Sequence, residues 1–411
     1  MHNRIRLFAA FAISLFTLGL AAPASGQFKF TINVNCTRGD SLAVVAANAL
    51  PNTVVNIKGA CAGPIAITAN GLQLNAVGAA SVNGGGKNAV TITGAQRVTL
   101  SGLTITGGAT GIVAQNGAQV LLQNDTVSGN AQTGISILAN SSVTVTGGSS
   151  QNNGLFGIDV EATSALVVTG SYSITGNAVF GIDVNNGSSL TLTAANLTVS
   201  QNTLGVQLGT NASGFVDGQS TLIANQNFSD GITIVSGSHV VDFGGTIQTI
   251  SNAIHGISLN SKAGLDLDAG SQVTSDFNQG DGVHLEQGSE LTVFNNPNFS
   301  GNPNATVLTT QSNLGNGIEL LTGSRLIVDN FAAVSAQRNG LAGIAADDGS
   351  SVSFGQTIPV ANVTSSVVTN NPDIRLSFGA HFTYLANDSF GMVTCDATAL
   401  VRGPGNITCP R

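Results

Sequence analysis

A ten-residue phrase returns along most of this chain. It reads Gly-Ile-Asp-Val-Asn-Asn-Gly-Ser-Ser-Leu at Gly181–Leu190, Gly-Ile-Thr-Ile-Val-Ser-Gly-Ser-His-Val at Gly231–Val240 and Gly-Ile-Glu-Leu-Leu-Thr-Gly-Ser-Arg-Leu at Gly317–Leu326. Its first glycine recurs at Gly111, Gly134, Gly157, Gly181, Gly205, Gly231, Gly256, Gly282, Gly317 and Gly343. The intervals run from 23 to 26 residues, apart from one of 35 between Gly282 and Gly317. A period of this length predicts a solenoid, in which each unit buries its apolar face only by stacking on its neighbours.

Inside each repeat, the residue after the glycine and the residue two further on are apolar, as in Ile158/Val160, Ile182/Val184 and Ile257/Leu259. Apolar residues two apart between polar ones describe a strand with one buried face. A second apolar pair follows the Gly-Ser turn (Leu190/Leu192, Leu265/Leu267), and a third short stretch such as Leu197/Val199 closes the coil. Three short strands per coil leave no room for a helix. An asparagine stands four residues before nearly every glycine: Asn130, Asn153, Asn177, Asn227, Asn252, Asn278, Asn313 and Asn339, with Asn202 one residue closer. Asn tolerates left-handed backbone angles, and amides stacked at a fixed corner can bond one another. A structural ladder is expected there.

The ends differ from the middle. A basic start (Arg4, Arg6), an apolar run Leu7–Leu20 and a small-residue site at Ala22-Pro23-Ala24 mark residues 1–26 as an export signal. The run is short for a membrane span, and no comparable run follows. The mature chain is expected outside the cytoplasm, secreted or periplasmic. Export permits disulfides among Cys36, Cys61, Cys395 and Cys409. About twelve coils at ~4.8 Å each would separate the two ends by roughly 60 Å, leaving only Cys36–Cys61 and Cys395–Cys409 within reach. Asp40–Leu50, closed by Pro51, is the one convincing helical stretch and is expected to cover the first apolar cross-section. The expected organisation is a cap over 27–63, the β-helix over 64–390, with Phe378–Tyr384 near its end, and a disulfide-closed cap over 391–411.

The Asn-x-x-x-Gly-Ile repeat resembles the right-handed parallel β-helix repeat of the pectate-lyase-like superfamily. Secreted bacterial members similarly begin with a helix between two cysteines. They end in a Cys-Asp…Arg-Gly…Cys-Pro segment, here Cys395-Asp396, Arg402-Gly403 and Cys409-Pro410. The resemblance covers about residues 36 to 410 and implies an all-β solenoid of about a dozen coils. It says little about activity, because that superfamily holds lyases, hydrolases and adhesins.

In such a fold equivalent positions stack, so columns are the units to search for chemistry. The residue before each glycine reads Thr110, Thr133, Phe156, Phe180, Leu204, Asp230, His255, Asp281, Asn316, Ala342. Polar groups replace apolar ones from Asp230 onward. His284 and Glu286 belong to the coil of Asp281, and Glu319 to the next. Carboxylates flanking a histidine suit general acid–base hydrolysis of a glycosidic bond. The long interval, around Asn295–Asn313, would place a loop beside them. Ser229-Asp230-Gly231 and His255-Gly256-Ile257-Ser258 are similar to two polygalacturonase motifs. That family's paired aspartates and its Arg-Ile-Lys element have no counterpart here. A second cluster, Asp159, Glu161 and Asp183, is the candidate for metal, with Ca2+ the ion three carboxylates would take. A solvated face would accommodate the same charges without an ion. No other cofactor is expected.

Without residues 1–26 the chain carries 11 Lys/Arg against 21 Asp/Glu. This acidity disfavours nucleic acid and anionic membranes as partners. The absence of Trp and the presence of only two Tyr leave few sugar-stacking rings. The function expected first is a non-enzymatic secreted scaffold offering a long polar face to an extracellular polysaccharide or a surface protein. The alternatives are a polysaccharide hydrolase or lyase with its cleft at coils 230–319, and a cell-surface adhesion or assembly module.

Overall fold

A computed structural model describes residues 29–295, 305–329, 332–355, 367–369, 372–384, 389–403, 407 and 409. The expected export signal, most of the ten extra residues after Asn295, and Asn370 and Asn371 lie outside them.

Fourteen of the described strands, three to five residues each, form one parallel sheet. Its register follows the repeat: Ile158 pairs with Ile182, Ile182 with Val206, Val206 with Ile232, Ile232 with Ile257 and Ile257 with Val283. All of these side chains are buried, so each coil adds one pair of apolar residues to a continuous core. The chain is an all-β parallel β-helix, as the period requires.

The remaining strands join a second parallel sheet. Up to Ser200 the second and third apolar stretches are one long strand per coil, as in Ser142–Gln151, Ala165–Thr175 and Ser189–Ser200. The register slips inside these strands, where Gly147, Gly148 and Gly170 take positive φ. From Ser213–Asp217 and Thr221–Asn225 onward the stretches are separate, matching the three-strand expectation.

The asparagine corner is a buried ladder. Asn130 Nδ2 donates to Asn153 Oδ1 (3.0 Å), Asn153 to Asn177 (2.9 Å), Asn227 to Asn252 (3.1 Å), Asn252 to Asn278 (3.1 Å) and Asn313 to Asn339 (3.0 Å). Each Oδ1 also accepts the backbone N–H of the asparagine one coil earlier, as Asn252 does from Asn227 (3.0 Å). The glycine beside it is required by space. A Cβ on Gly231 would stand 2.7 Å from Asn252 Nδ2 and 2.7 Å from the Gly256 carbonyl oxygen. A serine ladder that the sequence reading did not anticipate runs through the Gly-Ser turns. Ser141 Oγ accepts from Ala118 N, Ser164 Oγ from Ser141 N and Ser188 Oγ from Ser164 N, all at 3.1–3.2 Å.

At the front, Thr31–Asn35 pairs with Val54–Lys58 as the first rung. The helix spans Leu42–Ala47, shorter than Asp40–Leu50. Ser41 caps its start, and the Asn48 side chain bonds the Val44 carbonyl at its end. Leu42 and Ala46 turn inward over the core. Cys36 is bonded to Cys61 and Cys395 to Cys409. At the far end Phe382 stacks on Tyr384 and meets Phe354 and Phe390 edge to face, whereas Phe378 faces outward.

Candidate functional site

The column before the glycines turns a corner of the coil, and its polar members bond the backbone. Asp230 Oδ1 accepts the N–H of His255 (2.9 Å), and His255 Nδ1 accepts that of Asp281 (3.0 Å). Asp281 Oδ1 accepts that of Asn316 (2.6 Å), and Asn316 Oδ1 that of Ala342 (3.0 Å). Each side chain thus supports the next coil. The acceptor role of its Nδ1 places the His255 proton on Nε2.

Above this column, strand Val283–Leu285 carries His284 outward and Ile318–Leu320 carries Glu319, its register partner. His284 Nδ1 lies 3.2 Å from Asp281 Oδ2 and 3.1 Å from Glu319 Oε2. The His255 and His284 rings stack at 4.5 Å, and His255 Nδ1 is 3.4 Å from Asp281 Oδ2. Asn316 Nδ2 donates to Glu319 Oε1 (3.0 Å), which Arg375 also approaches. Asp281 is buried and the other three are partly so.

The charges follow from these contacts. Burial opposes a proton on His284, but its bonds to Asp281 and Glu319 prevail and lift its pKa to about 10. Burial, joined by the neighbouring charge of His284, pushes His255 below the ordinary imidazole value. Burial also disfavours charge on Asp281, yet the hydrogen bonds from His284 and the Asn316 amide hold it below the ordinary carboxylate range. At neutral pH an imidazolium sits between two carboxylates beside a neutral imidazole.

Of the six residues nominated for catalysis, Asp281, His255, His284 and Glu319 therefore meet. Asp230 touches the group through the His255 backbone and also accepts from Thr233 Oγ1 (3.2 Å). Glu286 turns to Asn260 of the preceding coil. Asn316, absent from the nominated set, holds one oxygen of each carboxylate. Only its place in the polar column pointed to it.

Asp159 and Asp183 are register partners in adjacent coils. Burial, then Glu161, then Asp183 raise Asp159 to about 7, and burial raises Asp183 to about 6. Asp183 is buried rather than on a solvated face, and its Oδ1 accepts from Asn185 (2.7 Å) and Gln207 (3.2 Å). Among the described residues, the one group of three whose ligand atoms all lie within 4.8 Å of one another is His255, Asp281 and His284.

The same corner carries exposed apolar side chains on successive coils. Phe228, Ile254, Phe277, Leu314 and Leu341 are 44% to 69% exposed. All lie within two residues of a ladder asparagine. On earlier coils the corner is an open groove of about 520 Å3 whose lining includes Gly86, Gly108, Gly129, Asn130, Asn153 and Gly154. Composition had suggested few stacking rings. Both tyrosines are indeed buried, but Phe228 and Phe277 are exposed rings, two residues before Asp230 and four before Asp281.

Residues 55–204 and, overlapping them, 88–254 match the family described as right handed beta helix region, so this part of the chain is a right-handed β-helix. Among solved structures the chain is similar to pectate lyase Pel9A, with 13% identity over 57% of this chain and 76% of that one (TM-score 0.43). It is similar to the Azotobacter vinelandii mannuronan C-5 epimerase AlgE4 A-module, with 11% identity over 90% and 91% (TM-score 0.38). It is also similar to the siphovirus 9NA tailspike receptor binding domain, with 10% identity over 95% and 80% (TM-score 0.43). No curated protein sequence matches the chain.

Proposed function

We propose that this is an exported β-helix that binds an extracellular polysaccharide, without cleaving it, along the corner from Phe228 to Leu341. The observation that carries this reading is the row of exposed apolar side chains on successive coils. Contiguous exposed apolar surface marks an interaction site, and phenyl faces are stacking platforms for sugar rings. Each coil rises by ~4.8 Å, so these side chains follow one another along the axis, at three offsets around the corner, which suits a linear polymer. The groove on earlier coils extends the same track. Charge selects among polymers: without residues 1–26 the chain carries 11 Lys/Arg against 21 Asp/Glu. A neutral polysaccharide fits better than a polyanion.

Two further features support binding over cleavage. One oxygen each of Asp230 and Asp281, and Nδ1 of His255, are occupied by backbone N–H groups, and the His284 proton is held between two carboxylates. Export is supported by the basic and apolar start of the sequence and by the two disulfides.

Affinity electrophoresis of the mature chain through gels of neutral and anionic polysaccharides tests this. A neutral polymer should retard it, and Phe228→Ala combined with Phe277→Ala should weaken retardation at least about tenfold. Reducing ends and unsaturated products should stay at background. No retardation by any polymer would refute the binding reading. Product release abolished by Asp281→Asn would replace it with hydrolysis at this cluster.

A further inference from the structure

We propose that His255, Asp281 and His284, with Glu319 in contact with His284, form a site for one divalent transition-metal ion of the zinc class. The donor atoms converge. Asp281 Oδ2 is 3.4 Å from His255 Nδ1 and 3.2 Å from His284 Nδ1, and Glu319 Oε2 is 3.1 Å from His284 Nδ1. A tetrahedral ion with bonds of ~2.0 Å holds adjacent ligand atoms about 3.3 Å apart. The two Asp281–histidine separations match edges of such a tetrahedron, and the ligand atoms of His255, Asp281 and His284 all lie within 4.8 Å of one another.

The donor set is also selective. Two imidazole nitrogens with two carboxylates suit zinc and its first-row neighbours, whereas calcium takes six to eight oxygens. Two carboxylates would balance a doubly charged ion fully.

The surroundings orient these donors. The backbone N–H of Asn316 holds Asp281 Oδ1 and its side chain holds Glu319 Oε1, leaving Oδ2 and Oε2 to face the imidazoles. Hydrogen bonds to the outer atoms of ligands typically govern affinity in this way. The His255 backbone is fixed in turn by Asp230 Oδ1. An ion competes with the Asp281 amide for the His255 Nδ1 lone pair, and it also replaces the His284 Nδ1 contacts to Asp281 Oδ2 and Glu319 Oε2. The inference rests on donor geometry alone and not on the polymer reading.

The test is equilibrium dialysis of the chelator-stripped mature chain against Zn2+ or Ca2+, with metal content measured directly. At micromolar free zinc one ion per chain is expected, and calcium at the same concentration should stay unbound. His284→Gln should weaken zinc binding more than roughly 100-fold, and Asn316→Ala roughly 10- to 100-fold. His255→Gln keeps an acceptor for the Asp281 amide, so it should retain a native circular dichroism spectrum while losing zinc. Absence of stoichiometric zinc, or binding unchanged in folded His255→Gln and His284→Gln, would overturn the site. Zinc binding without retardation by any polysaccharide would leave this inference standing and remove the polymer reading.

Discussion

Asn252 shows what one residue does in this molecule. Its Nδ2 donates to the Ala224 carbonyl (3.0 Å) and to Asn278 Oδ1 (3.1 Å), while its Oδ1 accepts the Asn227 backbone N–H (3.0 Å) and side chain. Asn252→Ala leaves these buried partners unpaired, at about 1–3 kcal/mol for each group stranded. The expected loss is about 3 kcal/mol, read as a lower urea midpoint, with faster hydrogen exchange at the Asn227 amide. A shift within error would show that the ladder relaxes around the gap. This role was legible in the sequence because the asparagines keep one spacing from the glycines. The acceptor role of Asp230, His255 and Asp281 was not legible. It depends on the direction of the next coil's N–H, which side-chain identity does not encode, so the same residues looked like acids and bases.

At the scale of one element, the coil was readable where its pattern is strict. Alternation placed Ile158, Ile182 and Ile257 in the first sheet, and the register agrees. Whether the next two stretches form one strand or two turns on local backbone choices such as positive φ at Gly147 and Gly170, which periodicity does not report. Strand His239–Phe243 holds a further departure. Asp242 faces inward as the register partner of Val216 and Leu267, positions that are otherwise apolar. Its Oδ1 accepts from Gly245 N (2.8 Å), and burial pushes its pKa to about 7. A carboxyl that is neutral in the folded chain and ordinary when unfolded stabilises the fold below pH ~4, and that stability is lost as pH rises to about 7. Asp125, likewise raised to about 7 by burial, adds the same sign. Thermal melts between pH 4 and 8 should therefore show a falling midpoint. Asp242→Asn should flatten the slope and melt higher than the parent at pH 8. Parallel slopes would show that Asp242 stays charged when buried.

Across the whole molecule, register turns a repeat into surfaces. Because each coil lies over the last, a residue type chosen at one corner becomes a row, and rows are what a polymer or an ion can meet. The ends close this stack: Leu42 and Ala46 cover the first coil beside Cys36–Cys61, and the aromatic cluster around Phe382 fills the last. Fold and ladder were legible from the period because stacking follows from it. The apolar row was not, since Phe228, Ile254, Phe277, Leu314 and Leu341 stand at three different offsets from their asparagines. The central claim is that this corner is where a polysaccharide lies. Hydroxyl-radical footprinting of the chain without residues 1–26, with and without the polysaccharide that retards it most, tests that claim directly. The expected result is joint protection of Phe228, Ile254, Phe277, Leu314 and Leu341, with Phe215 and Phe243 on other strands unchanged. Protection centred on Phe215 and Phe243, with the corner as reactive as before, would contradict it.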